Sequence, residues 1–424
     1  MIEFYNASPL STVGHNANQN ISYSDIDKYF ARYIPTHLHS VAENVSSPRS
    51  FKKLKENVAK SFDILNDIFP SIEIITDSGG FTIAQDKYDL KDIDNLIDSY
   101  HDFIQSTDIY KDYFTLDVPP CKYITSYQQL EDLNKRSYSL SHGINNGKGI
   151  MVCHFHNNSL YKIYGDLFDR YNDHFNRFAV GGVAGGLKNR IIDYALIFRL
   201  YIDKMIKFNY KRFPLHILGV GSSPTLLFIF ELFKEITKRV YDIDVELTMD
   251  SAVHQRLGKA RTFTTIYNGI VYQLDYFSKN LHYNFNGILR EKYMIEELNK
   301  FCDMYDIDYE VKRIYNEDDR MNMEFYVILF LYNNHIYRNI QKIISDTIPT
   351  LVDTFLNNAE LFYDECLKVL IPINKGRLTK NLKYDARNII KFCEILMGKD
   401  INRSLMLLDR NDQNMFLPDG ILKF

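Results

Sequence analysis

Tryptophan is absent from this 424-residue chain, while tyrosine (31) and phenylalanine (29) are plentiful. Lys, Asn and Ile are also common and Ala and Gly sparse, which reads as AT-rich coding DNA and says little about chemistry. Cysteine is scarce: five residues, at 121, 153, 302, 366 and 393, none in a CxC or CxxC pair. That excludes a local zinc knuckle or thioredoxin motif, and the odd count gives no disulfide framework, so reduced buried thiols are expected. Long hydrophobic runs are missing too. The most apolar window, 214–233, is interrupted by Gly219, Gly221, Ser222, Ser223, Pro224 and Glu231 and cannot span a membrane. The opening MIEFYNASPLSTVGHN has no basic start followed by an apolar core, so no secretory signal is expected and the predicted location is cytoplasmic. Neither sign of charge dominates: 50 Lys and Arg face 54 Asp and Glu, for a net charge of −4. Coating of nucleic acid through bulk charge is thereby excluded, though a local basic groove is not.

The chain does contain a repeated unit. Six short apolar runs each end in a polar or glycine-rich turn: 71–76 before Asp77-Ser78-Gly79-Gly80, 113–116 before Asp117-Val118-Pro119-Pro120, and 149–155 before His156-Asn157-Asn158. The others are 177–180 before Gly181-Gly182, 215–218 before Gly219-Val220-Gly221, and 244–249 before Asp250-Ser251. Such runs are the pattern of buried parallel strands. Helical periodicity fills the gaps at 90–104, 160–176, 191–207 and 225–240, the last with Ser222 or Ser223 as cap and Pro224 in its first turn. Strand, polar end, helix, repeated, predicts an α/β protein with a (β/α)8 TIM-type barrel, whose active site lies on the C-terminal rim of the strands. A doubly wound sheet is the rival, but no GxGxxG turn comes after the first strand. Residues 1–70 offer a possible strand at 1–5 and an amphipathic stretch at 51–69. Helical patterns at 289–305, 327–347, 348–369 and 386–398 make 286–424 a mainly helical region. It is expected to complete the barrel supplied mostly by 1–285, and it is a candidate for binding nucleic acid.

The rim residues suggest a site. In Asp77-Ser78-Gly79-Gly80-Phe81 an acid and an aromatic flank two glycines, which suits a flat base: the carboxylate takes ring N–H groups and the Phe81 face stacks. A turn with a capping aspartate is the simpler account of the same residues. Asp117 and Asp250 stand at two further strand ends. Three aspartates on one rim repel, and such a set serves either as acid, base and nucleophile or as a magnesium site. Arg256, Lys259 and Arg261 come after Asp250 and form either a phosphate clamp or a solvated loop. Lys375, Arg377, Lys380, Lys383, Arg387 and Lys391 form either a track for a nucleic-acid backbone or a solvated helix face. His154 and His156 share a strand face, but two histidines are weak grounds for a metal.

In order along 71–264, these motifs resemble the tRNA-guanine transglycosylase superfamily. DSGGF at 77–81 is similar to the family's DSGGFQ, and LD at 116–117 to the strand end carrying its second base-binding aspartate. VGGVA at 180–184 resembles VGGLA, LGVGSSPTLL at 218–227 resembles MGVGTPEDLV, and MDS with RxGK at 249–259 resembles the stretch carrying the nucleophile. The resemblance implies a pentosyltransferase that exchanges guanine in nucleic acid for a free 7-deazaguanine base. It implies Asp250 as nucleophile, Asp77 as base binder and proton carrier, and Asp117 as a second base binder. Phe81 would stack on the base, Gly181 and Gly182 would offer backbone to it, and Leu218 would line the slot. Arg256, Lys259 and Arg261 would hold phosphates near the sugar.

Three departures shape the expectation. Thr82 stands where the family has Gln. His156-Asn157 stands where it has Gln-Gly, so His156 is expected to read the base. The zinc cluster that supports the tRNA-binding region is missing, so no zinc and no other cofactor is expected. Those features look most like the DNA 7-deazaguanine transglycosylases of phages and mobile islands, which protect DNA from restriction. DNA is therefore the expected polymer, with tRNA and a non-catalytic nucleic-acid-binding paralogue as alternatives. If phage-encoded, the protein would work in the host cytoplasm. Arg377, Lys380 and Lys383 are expected to contact phosphates in place of the zinc-supported surface.

Overall fold

The computed structural model describes residues 2–8, 32–35, 48–68, 70–78, 83, 89–121, 123–144, 148–155, 158–181, 190–219, 223–251, 262–275, 280–315, 323–376 and 378–399. It is mixed α/β. Eight parallel strands are hydrogen-bonded in chain order: β1 (Glu3–Ser8), β2 (Arg32–Pro35), β3 (Glu73–Thr76), β4 (Asp112–Phe114), β5 (Gly149–Cys153), β6 (Arg177–Val180), β7 (Arg212–Ile217) and β8 (Asp244–Ser251). β8 also pairs with β1, with Tyr5 opposite Asp250, so the order returns to its start. Helices come after six of the strands: α1 (Pro48–Ile68), α2 (Leu90–Gln105), α3 (Tyr127–Ile144), α4 (Asn158–Tyr171), α5 (Arg190–Lys207) and α6 (Pro224–Tyr241). An eightfold strand–helix repeat is not seen among the described residues. Residues 9–31 lie outside them, and after 252–261, also outside, the chain resumes as an antiparallel hairpin of β9 (Thr262–Tyr267) and β10 (Ile270–Asp275).

The period-2 alternation of the strands explains the inside of the sheet. Tyr5, Ile75, Phe114, Ile150, Val152 and Ala179 form one buried cluster there, with Leu218 packed on it. The alternate strand residues Ile74, Tyr113, Met151, Phe178, Val180, Leu215, Ile217, Leu247 and Met249 belong to the larger core under the helices.

Tyrosine abundance finds a use between these layers. Hydroxyls from four consecutive helices donate to carbonyls at or beyond the strand ends: Tyr100 to Phe114 (2.5 Å), Tyr138 to Val152, Tyr164 to Val118 (3.1 Å) and Tyr201 to Ala179 (2.8 Å). Burial drives all four phenols well above their usual range, so each stays a donor.

After a two-stranded pair of β11 (Asn284–Phe285) and β12 (Ile288–Leu289), the C-terminal part is helical: α7 (Arg290–Met304), α8 (Met323–Asn357), α9 (Ala359–Ile373) and α10 (Lys380–Leu396). The expected division at 285 falls within that small hairpin. No strand after Ser251 joins the parallel sheet among the described residues, so this region adds helices to the fold and no strand to that sheet. It is bound tightly to the rest. α8 packs on α6 and α10 on α5. Phe392 meets Phe198, which stacks on Phe233 at 4.1 Å. Arg199 donates to the Leu396 carbonyl (2.9 Å) and to the Tyr241 hydroxyl (2.6 Å).

Three readings of the sequence need correction. The periodicity divides 327–369 at 347/348, whereas α8 runs through Pro349 to Asn357. Its buried residues Ile340, Ile344, Ile348, Leu351, Val352 and Phe355 continue across the proline, and burying that stripe outweighs a proline cost of roughly 3 kcal/mol. The helix α3 is not expected from the sequence pattern. It buries polar residues, Asn134, Ser137 and Ser141, that mask its apolar face. The strand β2 is also unforeseen, since four residues are too few to show alternation.

Candidate active site

Three expected acids stand at strand ends on one rim. Asp77 directly succeeds β3 and is half-buried; Asp117 lies three residues beyond β4 and is buried; Asp250 is the penultimate residue of β8. They are held differently.

Asp117 has both oxygens engaged. Ser78 Oγ donates to Oδ1 at 2.6 Å, and His154 Nε2 lies 2.7 Å from Oδ2. The pair is largely buried: the side chains of His154 and Asp117 are 3% and 7% exposed. The backbone around Asp117 is fixed by Asn134, whose amide accepts from Val118 N (2.9 Å) and donates to the Val118 carbonyl (3.0 Å). Ser137 Oγ donates to the Leu116 carbonyl at 2.7 Å. The polar face of α3 thus serves to hold the loop that carries Asp117.

Gly181 lies beneath the His154 ring. A Cβ there would meet His154 Cε1 and Nε2 at 2.7 Å and Val152 Cγ1 at 2.8 Å. Glycine is required because the backbone approaches a buried side chain, not because of an unusual φ. The ring also packs against Tyr164, at 4.9 Å between centroids.

Asp250 is held through one oxygen. The Gly219 amide donates to Oδ1 at 2.7 Å, and His216 Nε2 is 3.3 Å from the same atom. Gly219 turns the chain at φ 68°, a conformation natural to glycine, and so aims its N–H back at β8. His216 pairs across the sheet with Thr248, and its Nδ1 is 2.8 Å from Thr248 Oγ1. The imidazole packs against Phe114 (4.9 Å) and Tyr5 (5.7 Å) inside the sheet. Burial lowers its proton affinity, and the bond to Asp250 only partly offsets this, so His216 is neutral at pH 7.

Of the other expected residues, Gly181 meets His154 as described and Leu218, one residue before Gly219, packs on the inner cluster. Lys380 and Lys383 are exposed on α10. The first turn of that helix borders a cleft of about 360 Å³ with Ser223, Thr225, Asn374 and Asp385, next to the loop that carries Gly219. Phe81, His156, Gly182, Arg256, Lys259, Arg261 and Arg377 lie outside the described residues. The residues that sequence reasoning missed are Ser78, His154 as the partner of Asp117, His216 and Gly219. His216 had a signal: it is the one polar residue inside the apolar run 215–218.

Among the described residues no group of three His, Cys, Asp or Glu side chains is arranged to hold a metal. The five cysteines are buried, and none is in a disulfide. No described helix is long and apolar enough to cross a membrane. Comparisons with protein-family models, curated proteins and solved structures gave no match to this chain.

Proposed function

We propose that the chain is a base-exchange transglycosylase on a (β/α)8 barrel, replacing guanine in DNA with a 7-deazaguanine such as the 7-cyano form. The observation that carries this reading is the arrangement of Asp250 and Asp117. One strand-end carboxylate is held by a single oxygen from an amide and a neutral imidazole, and a second is buried with two donors on separate oxygens. The first suits a nucleophile and the second a fixed reader of a base.

In this reaction the C1′–N9 bond breaks with its electron pair going to guanine, and Asp250 forms a bond to C1′ from the opposite face. The departing guanine takes a proton from Asp77. The incoming base returns one to Asp77 as its N9 attacks C1′ and releases Asp250, so two inversions give retention. Asp117 presents its remaining lone pairs to ring N–H groups. A duplex target requires the nucleotide to be flipped out. No redox or ATP-derived equivalent enters the balance.

The test is incubation with labelled 7-cyano-7-deazaguanine and either duplex DNA or tRNA. Label in DNA is the expected outcome. Label in tRNA alone would make the chain a tRNA enzyme. Binding of both polymers without label in either would make it a non-catalytic paralogue.

A further inference from the structure

We propose that His216 is a positioning residue that, with the Gly219 amide, fixes Asp250 by Oδ1 and so assigns Oδ2 as the atom that bonds to C1′. The proposal rests on the base-exchange reading for its chemistry but on geometry alone for the choice of oxygen. Two donors converge on Oδ1, from the Gly219 amide at 2.7 Å and from His216 Nε2 at 3.3 Å. Each comes from β7 or the turn after it, so the carboxylate is approached on one side by neighbouring backbone and ring.

The tautomer is set by the acid: the Asp250 carboxylate oxygen can only accept, so the ring proton sits on Nε2, facing it. Thr248 Oγ1, 2.8 Å from Nδ1, then donates to the nitrogen without a proton. The ring cannot swing away, because Tyr5 and Phe114 pack on it and it is 1% exposed.

The chemical consequence differs for the two half-reactions. When Oδ2 forms the bond to C1′, Oδ1 becomes an ester carbonyl and loses most of its charge. When the incoming base displaces the carboxylate, the electron pair of the C1′–Oδ2 bond returns to Asp250, and charge reappears on Oδ1 against two waiting donors. Donors aimed at a site where charge develops favour that step most. His216 therefore acts mainly on release of the sugar from Asp250. Losing its N–H makes Asp250 a poorer leaving group, so the covalent intermediate persists.

The experiment compares wild type with His216→Phe, His216→Gln and Thr248→Val in two assays: steady-state exchange of labelled 7-cyano-7-deazaguanine, and the fraction of protein trapped covalently on the nucleic acid by denaturation during turnover. His216→Phe keeps the aromatic packing and removes the donor. Exchange should fall about tenfold to a hundredfold, less than the loss of a short oxyanion donor because Gly219 remains. The trapped fraction should rise at the same time. His216→Gln restores an N–H at the Nε2 position and should return exchange to within about threefold of wild type. Thr248→Val removes the donor to Nδ1, so the ring proton is no longer held on Nε2 from both sides, and it should show a weaker form of the His216→Phe behaviour, which keeps the test decisive if the phenylalanine variant does not fold. A purely structural role would lower exchange and trapped adduct together, with no rescue by glutamine, and would overturn the proposal. So would wild-type exchange in His216→Phe. Absence of any adduct in the wild type would instead overturn the base-exchange reading from which this inference takes its chemistry.

Discussion

Gly181→Ala is the smallest change that tests how the Asp117 side of the site is built. The added Cβ would lie 2.7 Å from two atoms of the His154 ring and 2.8 Å from Val152 Cγ1. Ordinary carbon contacts begin at about 3.5 Å, so the ring must retreat by roughly 0.8 Å. It has little room, being backed by Tyr164 and bonded to Asp117 at 2.7 Å. A retreat of that size stretches the bond to about 3.5 Å, beyond hydrogen-bonding range. Overpacking of this kind costs about 1–3 kcal/mol, and the carboxylate that loses its partner adds a comparable amount. Urea unfolding of Gly181→Ala should therefore show a loss of about 2–6 kcal/mol. His154→Ala in the same chain removes the ring that clashes, so the double variant should be less destabilised than the sum of the two single ones. The Val152 contact remains, so recovery should be partial. If Gly181→Ala unfolds within about 0.5 kcal/mol of wild type, or if the two changes add, the close approach of backbone to His154 is not what holds the pair together.

Other outcomes can be checked separately. Asp250→Ala should abolish exchange and the trapped adduct while leaving the circular dichroism spectrum unchanged; normal turnover would remove Asp250 from the nucleophile's role. Asp117→Asn presents an amide N–H₂ to donors on Ser78 and His154, and it should weaken binding of the free base about tenfold or more, read by calorimetry. Tyr138→Phe leaves the buried Val152 carbonyl short of a donor and should cost about 1–3 kcal/mol in urea unfolding. Burial lowers the proton affinity of His216 and His101, so the unfolded chain takes up protons at about pH 6.5 where the folded one does not; stability should fall as pH drops through and below that value, with a shallower slope in His216→Phe.

The rim was legible because parallel strands buried on both faces advertise themselves as apolar runs, and the polar residue that ends each run stands out. Asp77, Asp117, Gly181 and Asp250 are all visible that way, and the structure puts them at strand ends. Their partners were harder to read. His154 pairs with Asp117 across 37 positions of sequence, and His216 with Asp250 across 34. Only the parallel register brings such residues together, and register leaves no local trace. His154 drew attention through its neighbour His156, as a weak metal pair, whereas its bond goes to the acid of the adjacent strand. The polar face of α3 misled for a related reason: Asn134 and Ser137 look like surface residues until the loop they support is in place.

The identity of the partner beneath Asp250 bears on the proposed chemistry. A half-buried carboxylate needs donors, and an arginine or lysine would supply them most strongly. Either would also cancel the charge. Capture of C1′ draws on attraction between the carboxylate and the positive charge that builds on the sugar, so a cation bound to Asp250 would weaken the step it is meant to serve. A neutral imidazole and a backbone amide orient the carboxylate and leave its charge in place. The arginine whose field reaches His216 is Arg177, and that charge is balanced by its ion pair with Asp112 at the other end of the strands. Substituting Lys or Arg for histidine at 216 would thus be a harsher change than Phe in the first half-reaction, although it adds a donor. Burial keeps the imidazole uncharged and so preserves the difference between orienting Asp250 and neutralising it.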